Sequence, residues 1–435
     1  MRAASAQKHI ALSLPLGNFA LIMAVAFALR AAFVLLTVPN VSGGDTLGLL
    51  QYGLELVRDQ MPHMTHIPPL YLLYTGTVQS IFGEGNLTIF RLLNVLWSTA
   101  LVAIVFTAAE AYFNRRVAAI AAWLIAINPI FIIEAGQILT ESVFLPLMFG
   151  ALALHGRCTR RNALMTWRQA ALVGILLGLA SLTRAVALLL PVIFVAHLLW
   201  RYRRRALHLI AALLIAYSAT VLSWTAYGYL RWRTIMIGGG GLAANFYLGT
   251  NEGWCGPQCV DERAGITAED QWRNDEIYAQ RAAETILSDP FGYLTRRLTN
   301  LLEASLQPHN TNLLQGESLR DLVLQWWTHD RSLAGLGAVL SGDAFVPKLS
   351  LYIFHIGALL LGALGLLLGA FRRRMFGQAL PLYGALGYFY ALHSLLTAIP
   401  RYLFPTAALW LIFASAALAR RATTESGDEQ TAHSL

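Results

Sequence analysis

Asp45 stands in Ser42-Gly43-Gly44-Asp45-Thr46, between an apolar run and an amphipathic one. A carboxylate there has two uses. At the head of a helix it accepts hydrogen bonds from the unpaired N–H groups of the first turn. Held at a membrane surface, it takes a proton from an attacking hydroxyl as a general base. Glu141, in Leu139-Thr140-Glu141, and Glu134 one heptad earlier also lie beside apolar runs. Each reads either as a solvated interface residue or as a group facing a polar cavity within the membrane. Asp45, Glu134 and Glu141 form no recognisable metal motif, and the chain has no Asp-x-Asp. The sequence therefore implies no metal and no cofactor.

Arginines supply the complementary charge. Arg184, in Leu182-Thr183-Arg184-Ala185, separates two apolar runs, and Arg401, in Pro400-Arg401-Tyr402, opens the last one. A guanidinium matches the geometry of a phosphate; otherwise such residues snorkel or pair with an acid. Arg91, at the start of another run, has the same two readings, phosphate ligand or interfacial anchor. Arg30 lies inside the first run and calls for an acidic partner in the bundle. Glu141, His66, Asn245, Tyr247, Tyr402 and His393 are candidates for contacts with the rest of a substrate. His66 precedes a stiff Pro68-Pro69 turn. Asn245 and Tyr247 follow the Gly238–Gly241 run, in a stretch that reads as a flexible loop of amides and aromatics suited to a sugar. That glycine run is not a phosphate loop, because no Lys-Ser/Thr follows it. Cys255 and Cys259 are expected to form a disulfide in an oxidising compartment. Two cysteines alone do not make a zinc site.

The elements that position these groups are membrane spans. The chain is 56% hydrophobic and 13% charged, with mean hydropathy +0.53, whereas soluble domains carry about 25% charge. A span needs about 20 apolar residues. About ten such stretches occur, at roughly 16–38, 91–113, 117–133, 140–155, 168–183, 185–200, 206–229, 349–370, 376–397 and 402–419. The first reads as a signal anchor rather than a cleaved leader. If the N-terminus is cytoplasmic, the clusters Arg115–Arg116, Arg157–Arg161, Arg201–Arg205, Arg372–Arg374 and Arg420–Arg421 all fall inside, as positive charge should. Topology thus explains the net charge of +8, and nucleic acid is not implied.

The organisation expected is an all-α polytopic bundle. Residues 1–230 form an N-terminal transmembrane module with an outer loop at 39–90. Residues 231–348 form a mostly helical outer segment, with helices near 268–287, 291–306 and 317–329. Residues 349–420 are C-terminal spans, and 421–435 a disordered cytoplasmic tail. In the first outer loop Leu47, Leu50, Leu54, Val57 and Met61 recur at helical spacing. They predict an amphipathic helix lying in the membrane interface.

In order along the chain, Gly44-Asp45, Pro68-Pro69-Leu70-Tyr71, Arg91-Leu92-Leu93-Asn94, Asn128-Pro129, Leu139-Thr140-Glu141, Leu182-Thr183-Arg184, Asn245-Phe246-Tyr247-Leu248-Gly249 and Arg401-Tyr402 with Pro405 resemble the C-type glycosyltransferase superfamily. The nearest groups are bacterial relatives of protein O-mannosyltransferases and of lipid A aminoarabinose transferases. Three positions depart from the usual pattern: Thr46 where an acid often follows the Asp, Leu49 where Tyr is frequent, and Ile67 where a basic residue commonly precedes the prolines. The resemblance implies Asp45 as catalytic base and Arg184 and Arg401 as ligands of a donor phosphate. It also implies a polyprenyl-phosphate sugar donor, a lipid, glycan or protein acceptor, and a site on the outer face of a bacterial inner membrane, with both termini cytoplasmic. A flippase of lipid-linked oligosaccharide and an O-antigen-type polymerase or ligase are the alternatives. A transporter, however, needs polar sites near the midplane and gains nothing from a large helical outer segment.

Overall fold

A computed structural model of the protein describes residues 18–39, 44–60, 67–160, 165–233, 235, 242–250, 262–266, 274–309, 311, 314, 316–371 and 373–432. Among them the regular structure is helical. The order is α1 Phe19–Leu36, α2 Gly44–Val57, α3 Pro69–Phe82, α4 Leu87–Tyr112, α5 Arg115–Ile127, α6 Pro129–Glu134, α7 Glu141–Thr159, α8 Trp167–Thr183, α9 Pro191–Tyr202 and α10 Leu207–Trp232. Then come α11 Leu242–Thr250, α12 Asn274–Ser288, α13 Pro290–Leu306, α14 Leu319–Thr328, α15 Leu333–Leu340, α16 Phe345–Ala370, α17 Arg373–Leu395 and α18 Pro400–Ala432. Each of the ten apolar stretches contains helix among the described residues. By length and composition alone, five described segments suffice to cross a membrane: 19–36, 87–112, 185–232, 345–370 and 400–419.

Local chemistry sets the boundaries. The Asn86 side chain accepts from the Ile89 N–H at 3.3 Å and starts α4. Asn128 caps α6 ahead of Pro129, so the 117–133 stretch breaks into two helices. Thr166 and Gln169 form a capping box on α8. Asp289 caps α13 with Pro290 at its first position.

Small residues let helices close in on one another. A Cβ added at Gly365 of α16 would lie 1.9 Å from the Phe413 carbonyl of α18. The core joins α4, α5, α7, α8 and α18 through residues such as Val105, Ala122, Phe144, Phe149, Leu177 and Ile412. Two sets of helix ends converge at opposite poles of this bundle. At one pole, the pole of the arginine clusters, Arg201 donates to the Thr159 carbonyl at 2.7 Å and Gln378 to the Ala111 carbonyl at 3.0 Å. The other pole carries the candidate site.

The structure departs from the sequence reading in four places. Helix α2 exists, but Leu47 is exposed while Thr46, Leu49, Leu50 and Leu56 are buried. The helix is not simply laid on the interface. Gly53 meets Gly76 of α3 so closely that a Cβ on Gly76 would lie 2.1 Å from the Gly53 carbonyl. Thr75 and Gln79 donate to the Leu49 and Leu50 carbonyls, each at 2.8 Å. Protein packing has therefore overridden the simple apolar period. Asn245 and Tyr247 lie on helix α11 rather than in a flexible loop, because Tyr247, Tyr278 and Ala282 make a small core of their own with α12. Helix α15 lies in the 231–348 segment beyond the three helices expected there. Finally, α18 runs on to Ala432, into the stretch that composition assigns to a disordered tail. Met61, His66, Gly238–Gly241, Cys255 and Cys259 lie outside the described residues.

Candidate active site

Four helix ends bring four charged side chains together. Asp45 sits in the first turn of α2, Glu141 is the first residue of α7, Arg184 is the C-cap of α8, and Arg401 is in the first turn of α18. The α7 N-terminus favours negative charge at Glu141. Pro405 has no N–H to offer the Arg401 carbonyl one turn back, which loosens the start of α18.

Glu141 is the hub, with its side chain fully buried. Arg401 Nε donates to its Oε1 at 2.7 Å and Arg401 Nη2 to its Oε2 at 3.3 Å. Arg184 Nη1 pairs with the same Oε1. Thr140 Oγ1 donates to Glu141 Oε2 at 3.0 Å and accepts from Arg184 Nη1 at 3.3 Å. The remaining arm of Arg401, Nη1, pairs with Asp45 Oδ2. Exposure rises along this chain of charges: 0% for the Glu141 side chain, 10% for Arg184, 22% for Arg401 and 63% for Asp45. One carboxylate is locked beneath two guanidinium groups, and the other stands at the open end.

Aromatic rings wall the cluster. The Arg184 guanidinium lies 5.8 Å from the ring centres of both Phe144 and Tyr402. Tyr402 stacks on His393, with centroids 5.6 Å apart and planes at 24°. His393 Nδ1 lies 3.0 Å from the Thr397 carbonyl and so carries the donated proton. That leaves Nε2 as an acceptor, and among the described residues this buried nitrogen has no hydrogen-bond partner.

Of the site residues expected from sequence, Asp45, Glu141, Arg184, Arg401, Tyr402 and His393 are thus assembled. Asn245 touches the site's frame through its backbone, its carbonyl accepting from Thr397 N at 3.2 Å and Thr397 Oγ1 at 2.8 Å. Tyr247 packs against Tyr278, ring centres 5.2 Å apart and tilted, where burial raises its phenol above the ordinary value. Arg91 belongs elsewhere. Its guanidinium donates to the Gly136 carbonyl at 3.2 Å, the Thr37 carbonyl at 2.7 Å and Thr37 Oγ1 at 2.5 Å. It is a buried staple between the end of α1 and the turn before α7, not a third member of the cluster. Arg30 likewise meets no acid; it donates to Ser98 Oγ and to the Ala26, Ile125 and Ala126 carbonyls.

Two features escaped the sequence reading. Glu134 is buried, not solvated, and pairs with His309 at 3.0 Å. His309 also packs at a tilt against Phe404, one turn along from Arg401, with ring centres 4.9 Å apart. The only forewarning was an acid closing the apolar run Ile130–Ile133. Arg297 of α13 is buried and donates to the carbonyls of Gly249, His393, Ser394 and Leu396; nothing in its neighbourhood of sequence announced this. Among the described residues no group of three His, Cys, Asp or Glu side chains is placed to hold a metal ion.

Comparison with known proteins follows the same lines. Residues 66–224 match the model of the family described as dolichyl-phosphate-mannose-protein mannosyltransferase. No curated protein matches the chain. The archaeal oligosaccharyltransferase AglB from Archaeoglobus fulgidus was solved with an inhibitory peptide and a dolichol-phosphate. It superposes with TM-score 0.53 at 14% identity, covering 96% of this chain and 52% of its own. The chain thus spans about half the length of that structure. ArnT from Cupriavidus metallidurans, bound to undecaprenyl phosphate, aligns with TM-score 0.42 at 16% identity over 96% of this chain and 81% of its own. The stretch 66–224 carries Glu141 and Arg184, and the AglB superposition extends over nearly all of the chain. By sequence across 66–224 the chain is similar to that mannosyltransferase family, and by fold it is similar to AglB over nearly all of its length.

Proposed function

We propose that the protein transfers a sugar from a polyprenyl-phosphate carrier to an acceptor hydroxyl of a lipid, glycan or protein at the extracytoplasmic face of a bacterial inner membrane. The observation that carries this reading is the Asp45–Arg401–Glu141–Arg184 network. Glu141 holds two guanidinium groups on one carboxylate, and guanidinium groups match the geometry of a phosphate. The lipid tail lies along the spans, and the phosphate replaces Asp45 on Arg401. Asp45 is then free to act.

In the chemical step the acceptor hydroxyl gives its proton to Asp45 as its oxygen bonds to the anomeric carbon. The bond from that carbon to the phosphate oxygen breaks. The polyprenyl phosphate departs with the electron pair, its new charge held by Arg184 and Arg401. A single displacement inverts the anomeric centre. His393 Nε2 is available to accept a sugar hydroxyl beside the Tyr402 ring. The match to the mannosyltransferase family supports a lipid-phosphate donor.

The test is transfer by purified protein from a radiolabelled polyprenyl-phosphate sugar. Asp45→Asn should lower turnover by about 10²–10⁴-fold while the protein stays monodisperse. Normal turnover by folded Asp45→Asn would refute the base. Movement of lipid across the bilayer without loss of its sugar would instead mark a flippase.

A further inference from the structure

Helix α13 carries an apolar stripe that is at least half exposed among the described residues. Phe291 is 85% exposed, Leu294 53%, Leu298 50%, Leu302 63% and Leu306 55%. At about 100° per residue these side chains fall within an arc of about 120°. The flank on one side of the stripe is buried and carries Arg297 and Ala304. The flank on the other side is exposed and polar, with Arg296, Asn300 and Glu303. A helix with packed, apolar and polar faces in sequence around its axis is built for a boundary, not for free solution.

The depth of that boundary is fixed by one hydrogen bond. The Ser305 carbonyl near the end of α13 lies 2.8 Å from His355 Nε2 of α16. Helix α16 ends at Ala370, just before the cluster Arg372–Arg374, which the positive-inside rule sets at one membrane surface. From His355 to Ala370, at about 1.5 Å per residue, is about 22 Å. The hydrocarbon core is about 30 Å thick, so the end of α13 sits roughly 8 Å below the opposite surface. Interfacial helices bury their apolar faces by about 5–10 Å. Helix α16 itself exposes Leu349, Ile353 and Leu360 around that level, so the stripe lies at the same depth as surface that faces lipid.

We infer that α13 is seated in the leaflet on the site side, with Phe291, Leu294, Leu298, Leu302 and Leu306 among the acyl chains. The partner is the bilayer itself. This does not rest on the proposed chemistry. It does touch the site, because Arg297 on the same helix grips the carbonyls of His393, Ser394 and Leu396, and that turn leads into Arg401. The depth of the leaflet thereby sets the position of the turn.

The test places the photo-crosslinker p-benzoylphenylalanine at Leu298, and in a second variant at Asn300, in the full-length protein. Each variant is reconstituted in nanodiscs of phosphatidylcholine and phosphatidylglycerol and irradiated, and its intact mass is measured. A phospholipid adduct several-fold more abundant at 298 than at 300 is the expected result. Equal yields at the two positions, or a crosslinked second copy of the chain at 298, would overturn the inference. Repeating the substitution at Leu302 gives the same reading one turn on, so a single misfolded variant does not decide the outcome.

Discussion

The molecule buries arginines in two kinds of place. At the Glu141 cluster, Arg184 and Arg401 share a carboxylate, and Arg401 extends a further arm to Asp45. In the staples, Arg30, Arg91 and Arg297 bond backbone carbonyls and hydroxyls of neighbouring segments. Both arrangements satisfy a guanidinium away from water. They differ in what can replace the partner. A carbonyl at a helix end stays where the chain puts it, so a staple is permanent. A side-chain carboxylate on an exposed arm exchanges for another anion, and a phosphate offers the same planar, bidentate match. If the proposed chemistry holds, position on the bundle is a poorer guide to which arginine takes part in it than the nature of its partner.

Variants that strip one partner from each region sharpen this contrast. Glu141→Ala leaves two guanidinium groups without their shared buried carboxylate and should destabilise the protein by about 3–5 kcal/mol. A fall in unfolding temperature in detergent measures it, and an unchanged temperature would show that the cluster is solvated in solution. Arg401→Lys keeps the charge but loses the fork. It should lower kcat/KM for sugar transfer by ~100-fold, as misplaced groups do, with little loss of stability; full activity would mean that a point charge suffices. Arg297→Met should do the reverse. It leaves buried carbonyls unpaired at a stability cost of about 1–3 kcal/mol each, again read by thermal unfolding, and donor binding should survive in the folded fraction. The exposed pair between Asp59 and Arg231 marks the lower end of the scale. Asp59→Asn should leave the unfolding temperature where it was, since exposed pairs are screened by water and salt.

The sequence told much about the fold and less about the pairing. Apolar run length found helix in each of the ten stretches, though Asn128 splits one of them in two, because it is a property of single segments against lipid. Asp45, Glu141, Arg184 and Arg401 were legible because each stands where topology gives a charge no excuse. Arg91 met the same criterion and proved a staple; its partners, Thr37 and Gly136, are distant in sequence and carry no charge to search for. Arg297 and the Glu134–His309 pair were hidden for a similar reason, since each joins the 231–348 segment to the bundle across more than ninety residues. Helix α2 was found by its period, but which of its side chains pack on α3 was not. The Gly53–Gly76 contact with α3, which no hydrophobic pattern encodes, decides which side turns inward.

The most direct measurement is retention of undecaprenyl phosphate by the purified protein, followed by native mass spectrometry. The account predicts that Arg184→Gln and Arg401→Gln lose the lipid while folded Arg297→Gln keeps it. Retention by the first two at the level of the unaltered protein, with loss in the third, would contradict the claim that the carboxylate-paired arginines are the ones that take the phosphate.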